Sequence, residues 1–266
     1  MEADREGGES QGAAALGMAG NVFEHPRLAA IYDALDSDRS DLYVYVGIAE
    51  ELGVRRVLDV GCGTGTFGIL LADRGFEVTG VDPALASLDV ARAKPGADRV
   101  RWIHGDATSL PPLQVELATM TGNVAQAIVE QADWEATLRG IYDALCPGGH
   151  LVFETRDPAA RAWQGWNRAE SYTVTEIDGI GAVESWHDVT DVTRSLVSFR
   201  STTVFASDGE VLTSYSMLRF RERAEVQADL IAHGYVVDEV RGAPDRPGRE
   251  LVFFARRPDA LLATMN

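Results

Sequence analysis

The segment Val57-Leu58-Asp59-Val60-Gly61-Cys62-Gly63-Thr64-Gly65 constrains this chain more than any other. A short apolar run, Arg56–Val60, predicts a buried strand, and three glycines at alternate positions predict that it ends in a tight turn. With no Cβ in the way, such a turn lets backbone approach a ligand closely. The next stretch, Phe67–Asp73, predicts a helix. Strand, glycine-rich turn and helix in that order open a doubly wound α/β sheet.

The alternation continues downstream. Strands are predicted at Glu77–Val81, Val100–His104, Val115–Thr119 and His150–Thr155, with helices over Ala84–Arg92 and Trp134–Leu145. The second of these helices should stop at Cys146-Pro147-Gly148-Gly149. Near-continuous apolar strands separated by amphipathic helices imply a parallel sheet covered on both faces. Two helical stretches come first, His25–Leu35 and Ser40–Leu52, the second opening on Ser-Asp-Arg-Ser-Asp with its candidate N-cap side chains. Beyond the fifth strand the rhythm changes. Residues 158–170 hold two tryptophans, and residues 171–221 alternate with period two, broken at Ile177–Gly181 and Ser207–Gly209. That pattern predicts three or four antiparallel strands. A helix over Glu222–His233 and strands at Val236–Val240 and Glu250–Ala255 close the chain's ordered part. Residues 1–20, rich in Gly, Ala, Glu and Ser, are expected to form a disordered tail, and residues 259–266 a second tail.

Charge and cysteine usage narrow the function classes. A net charge of −17, from 24 Lys+Arg against 41 Asp+Glu, disfavours a nucleic-acid partner, which would call for a basic stripe. No run reaches the ~18 apolar residues of a membrane span, and the acidic N-terminus lacks the form of a signal peptide. Two cysteines, Cys62 and Cys146, offer no zinc-ligand spacing and fit a reducing, cytoplasmic setting, so no metal is expected.

The glycine turn alone leaves its ligand open. Gly63-Thr64-Gly65-Thr66-Phe67-Gly68 satisfies the dinucleotide pattern, and Asp82 lies where a ribose-binding acid would, so a nicotinamide cofactor is one reading. Asp59 separates the candidates. A pyrophosphate gains nothing from a carboxylate two residues before the first glycine, because like charges repel. S-adenosylmethionine, with a cationic amine and sulfonium and no phosphate, suits an acid there. Asp59 also has a plainer role open to it, as an acceptor organising the loop.

Asp59-x-Gly61-x-Gly63-x-Gly65 resembles the first motif of class I S-adenosylmethionine-dependent methyltransferases, and three further motifs follow in order. Gly80-Val81-Asp82-Pro83 is similar to the second, whose acid accepts from both ribose hydroxyls. His104-Gly105-Asp106-Ala107 is similar to the adenine motif. Thr121-Gly122-Asn123-Val124-Ala125-Gln126 holds the place of the motif beside the methionine moiety and the methyl group. The resemblance covers about residues 25–157 and 222–257. It implies a Rossmann-like sheet of seven mostly parallel strands, ordered 3-2-1-4-5-7-6 with the last antiparallel, in one domain over 21–258. It also implies that residues 158–221 form an antiparallel lid over the acceptor site. Tyr32 matches loosely a helix that caps the cofactor, though a core role fits as well. The expected cofactor site is Tyr32, Asp59, Gly61, Cys62, Gly63, Gly65, Asp82, Pro83, Asp106, Ala107, Thr121, Gly122 and Asn123.

The resemblance further implies methyl transfer by in-line displacement, most naturally to a small-molecule N or O acceptor. Gln126, Arg156, Trp163, Trp166 and His187 are the expected acceptor residues, with His187, Glu154 and Asp157 as candidate bases. Each has a structural alternative: His187 as a solvated strand residue, Glu154 as a satisfied strand-end acid, Asp157 as the start of the turn at Pro158. The tryptophans could equally pack on the domain. No fixed base is required, since alignment and desolvation carry most of such a reaction. A protein acceptor, a nicotinamide-dependent oxidoreductase and a non-catalytic S-adenosylmethionine-binding protein are the competing readings.

Overall fold

A computed structural model describes residues 23–259, and both expected tails lie outside them but for residue 259. Seven strands form one sheet in the order β10-β11-β5-β4-β1-β2-β3. These are β1 (Arg56–Val60), β2 (Glu77–Asp82), β3 (Val100–His104), β4 (Val115–Met120), β5 (Leu145–Arg156), β10 (Val236–Gly242) and β11 (Glu250–Arg256). Strands β1 to β5 run parallel, and β11 is antiparallel to both its neighbours. The sequence reversal beside β1 and β4 creates the crevice where ligands bind in such sheets.

Helices α1 (Pro26–Leu35), α2 (Leu42–Glu51), α3 (Thr66–Asp73), α4 (Leu85–Ala93), a short α5 (Val124–Ala127), α6 (Gln131–Ala144), a short α7 (Arg168–Ser171) and α8 (Arg223–Ala232) complete the regular structure. One core cluster lies under α6 and α8, where Trp134, Leu138, Phe153 and Phe253 are fully buried. The opposite face is covered by α2 and α3 through Leu42, Tyr45, Phe67 and Leu71. Inner strands buried from both sides explain their unbroken apolar sequences.

Two local expectations need correction. The acidic run before α2 supplies no side-chain cap, because its N-cap residue Asp41 is itself helical and pairs with Arg39. Pro147-Gly148-Gly149 ends α6 but does not delay the next strand. It forms a bulge inside β5, whose pairing with β4 jumps from Leu145 opposite Val115 to His150 opposite Leu117. Gly148, at φ 80°, makes that irregular turn possible.

Four antiparallel strands, β6 (Thr173–Ile177), β7 (Gly181–Thr193), β8 (Leu196–Phe205) and β9 (Val211–Arg219), form a second sheet. Its residues Val183 and Phe205 pack on Leu28 and Ile31 of α1, and Arg27 lies over the Phe205 ring at 3.6 Å while pairing with Asp208 and Glu210. At its other end, Arg219 donates to the Val129 carbonyl and Arg221 to the carbonyls of Ala125 and Ile128. The second sheet is thus tied to α1 and to the carboxyl end of β4.

Candidate functional site

The first glycine turn has the shape its sequence predicts. Gly61, Gly63 and Gly65 all take positive φ, 72°, 52° and 79°, which a side chain would strain. Their surroundings differ. A Cβ on Gly61 would lie 2.5 Å from Val124, and one on Gly65 would lie 2.6 Å from the Trp102 ring and 2.7 Å from Ala91. A Cβ on Gly63 would meet nothing within 4 Å. Two of the glycines therefore serve packing, and the middle one faces open space. Gly80 belongs to the packing group, its Cα side pressed to Trp102 and the Cys62 sulfur.

Asp82 stands at the end of β2 and accepts from the amides of Gly63, at 2.7 Å, and Ala84, at 2.8 Å. Burial raises its pKa, against the lowering effect of those amides. Asp59, 1% exposed, accepts only from the Thr119 hydroxyl, at 3.3 Å, and its Oδ2 has no partner among the described residues. Desolvation pushes its pKa up to about 7. Cys62 is buried, its thiol pKa raised by the same cause, and its amide is bonded to the Val81 carbonyl. Its N–H is thus bonded within the protein, and its sulfur lies beside Gly80. Asp106 is exposed, and its Oδ1 accepts from the amide and hydroxyl of Thr108. Ala107 is buried against Gly140, whose missing Cβ makes room for the Ala107 carbonyl. Pro83 is exposed, with its carbonyl bonded to His104.

The N-terminal helix reaches this loop through a residue that the sequence alone did not single out. Asp33 accepts from the hydroxyls of Thr64 (2.6 Å) and Thr66 (3.1 Å) and pairs with Lys94 at 2.5 Å. Tyr32 is half-buried beside Phe23, at 5.5 Å between rings, and desolvation raises its pKa.

Beyond β4 the polar groups thicken into a network. Thr121 leads to Gly122 and Asn123, both in the left-handed region at φ 70° and 62°. Their amides donate to one oxygen of Glu154, at 2.7 and 3.1 Å, and Tyr45 donates its hydroxyl to the other. Desolvation, then the nearby Glu250 charge, pushes the Glu154 pKa up to about 7. Three donors thus hold Glu154 to the loop, which is the structural alternative the sequence left open for it. Asp157 likewise accepts from the Ala159 amide at 2.9 Å and starts the turn. Glu250, at the head of β11, was also missed in the sequence, although an acid opening the apolar run Leu251–Phe254 is an anomaly that could have drawn notice. It accepts from Asn123 Nδ2 at 3.1 Å and from Arg246 at 2.9 Å.

The expected acceptor residues come together. Arg156 donates to Gln126 at 3.0 Å, and its guanidinium lies 5.5 Å from the Trp166 ring. Trp163 and Trp166 flank Phe220 at 4.6 and 6.1 Å, Trp166 reaches Phe199 at 4.9 Å, and His187 meets Phe199 edge-on at 5.7 Å. One aromatic chain therefore links Arg156 at the end of β5 to His187 on the second sheet. His187 Nδ1 is paired with the Ser201 hydroxyl at 2.8 Å, and partial desolvation lowers its pKa. That shift favours the neutral imidazole over the charged one.

Known proteins share this fold. The family described as a methyltransferase domain matches residues 57–149. A cypemycin N-terminal methyltransferase from Streptomyces sp is 34% identical over 52% of this chain and 58% of its own. A demethylmenaquinone methyltransferase from Thermus thermophilus is 37% identical over 40% of this chain and 50% of its own. The chain thus spans about half the length of these relatives. Among solved structures, the CcbJ methyltransferase from Streptomyces caelestis aligns with a TM-score of 0.70 at 21% identity, over 89% of this chain and 98% of that one. A sugar N-methyltransferase from Streptoalloteichus sp aligns at 0.69 and 19% identity, over 97% of this chain and 100% of that one. An alignment of that extent takes in the second sheet, so the whole two-sheet fold is shared. Residues 57–149 thus carry a methyltransferase domain, and the glycine turn and strand order are those of the class I S-adenosylmethionine-dependent methyltransferase fold.

Proposed function

We propose that this protein transfers a methyl group from S-adenosylmethionine to a small-molecule N or O acceptor by in-line displacement. The residues present fit the cofactor. The observation that carries the reading is Asp59, a buried carboxylate with an unpartnered oxygen at the mouth of the glycine turn. An unpaired buried acceptor costs about 1–3 kcal/mol, and a cationic amine would relieve it. Asp82 keeps lone pairs beyond those used by the Gly63 and Ala84 amides, so it can accept from ribose hydroxyls. Gly63 leaves room beside it, and Asp106 and Ala107 stand at the end of the next strand. Pro83, Thr121 and Gly122 complete the cofactor side in this reading, Asn123 stands where that side meets the acceptor side, and Tyr32 covers the cofactor.

When bound, the cofactor supplies an electrophilic methyl group. The chain's own work is to align and to exclude water. Arg156, Gln126, Trp163 and Trp166 form the wall that orients the acceptor, and His187 can accept its proton. The second sheet, tied at both ends, closes over this wall as a lid. Small-molecule acceptors fit because the wall lies between floor and lid. Likeness to a cypemycin N-terminal methyltransferase adds a peptide amine to the acceptors worth trying. The test is mass spectrometry of the protein with methyl-labelled S-adenosylmethionine and a panel of small amines, alcohols, phenols and peptides. Label on a small amine or hydroxyl supports the reading, and label only on folded proteins overturns the acceptor class.

A further inference from the structure

We propose that the network between β4, β5 and β11 is an amine-specific acceptor site, in which Glu250 and Asn123 take the two N–H groups of the nitrogen to be methylated. The inference rests on the methyl-transfer reading and narrows its acceptor to nitrogen. Glu250 and Asn123 are 3% and 4% exposed. Each carries a buried acceptor with no partner among the described residues, Glu250 Oε2 and Asn123 Oδ1. The two residues are joined through their other atoms, since Asn123 Nδ2 donates to Glu250 Oε1. That bond also fixes the amide's orientation. Turning it over would set its oxygen against the carboxylate and leave a donor unused.

Two unpaired acceptors on adjacent side chains ask for two donors. A primary amine supplies both from one atom and keeps its lone pair free, whereas a hydroxyl supplies one and leaves an acceptor bare. Close by, Gln126 is 1% exposed and its Nε2 is an unpartnered donor, while its oxygen is taken by Arg156. An oxygen near the amine would satisfy it, so an amino alcohol or an aminoacyl group fits best. The position separates Glu250 from the cofactor's acid, with Asn123, just beyond β4, between the two sides. Glu250 lies on β11, three strands from Asp59 on β1, about 14 Å at the usual strand spacing. It faces the acceptor wall, since its partner across the sheet is Arg156, which lies beside Trp166.

The test uses the full chain saturated with S-adenosylhomocysteine. Glucosamine, aminocyclohexanol and glycylglycine are each compared with an analogue carrying oxygen in place of the amine nitrogen, and binding is read by saturation-transfer NMR. The inference expects the amines to bind in preference to their hydroxyl partners, and expects Glu250→Gln and Asn123→Ala each to weaken amine binding at least tenfold. Glu250→Gln keeps an oxygen for Arg246, and the thermal midpoint of each variant checks that it folds. Hydroxyl analogues binding as well as the amines, amine binding indifferent to both variants, or no amine binding at all would each overturn it. S-adenosylhomocysteine titration separates the two levels: if it binds tightly while the amines do not, only this inference fails, and if it does not bind, the methyl-transfer reading fails first.

Discussion

The seven-stranded sheet, the floor of the proposed site, and the antiparallel sheet with its flanking aromatics, its proposed lid, are built on opposite principles. In the floor, glycines and acids sit at the carboxyl ends of parallel strands, in positions fixed by close contacts with the loop backbone or with neighbouring elements: Gly61 and Gly65 by side chains within 2.7 Å of a would-be Cβ, Asp82 by two amides. In the lid, aromatic side chains from separate segments, Trp163, Trp166, Phe199 and Phe220, meet by packing alone. The floor leaves little freedom to its sequence. This difference matches the proposed division of labour, with the floor holding the cofactor and the lid meeting the acceptor.

The comparison can be broken most sharply at Asp82. Charge-assisted bonds from two hydroxyls contribute roughly 1.5–3 kcal/mol each, so Asp82→Ala should weaken S-adenosylmethionine binding by well over tenfold. Calorimetric titration measures it, and an unchanged dissociation constant would remove Asp82 from the floor's function. Gly65→Ala should act on stability. A methyl driven into Trp102 and Ala91 at positive φ should cost about 1–3 kcal/mol or more, seen as a lowered urea midpoint. The same substitution at Gly63, where space is open, should leave packing intact and pay only the backbone strain.

Protonation sharpens the picture next. With Asp59 pushed up to about 7, a cationic ligand must find it ionised, so cofactor affinity should fall as pH drops from 8 to 6. Asp59→Asn should flatten that dependence, and a profile identical to wild type would contradict it. Stability runs the other way. Asp59 and Glu154 hold their protons in the folded state to about 7 but lose them near 4 when unfolded. The folded state thus binds more protons between those values, and these two acids make it less stable as pH rises through that window. The smallest effect is expected in the lid. Trp166→Ala should remove about 0.5–1.5 kcal/mol of acceptor stacking, a several-fold loss of turnover, with cofactor affinity nearly unchanged.

How much of this was legible in the sequence follows the same division. The three positive-φ glycines and the grouping of acids at strand ends could be read because their spacing is local, whereas the strand order came only with the family resemblance. Four antiparallel strands could be read from period-two alternation. What escaped depends on contacts distant in sequence. Asp33 clasps Thr64 and Thr66 across some thirty residues. Glu250 meets Asn123 from the far end of the chain, |i−j| 127. Trp102 explains Gly65 and Gly80 only once β2 and β3 are paired. Glu154 looked free to act as a base because nothing in its neighbourhood of sequence shows the amides and the Tyr45 hydroxyl that hold it.

The central claim is that the floor is made for S-adenosylmethionine. Its most direct test is calorimetric titration of the full chain with S-adenosylmethionine and, separately, with NAD. The account predicts binding of the first in the micromolar range and none of the second, because a carboxylate at Asp59 repels a pyrophosphate and attracts an amine. Binding of NAD without binding of S-adenosylmethionine would contradict it.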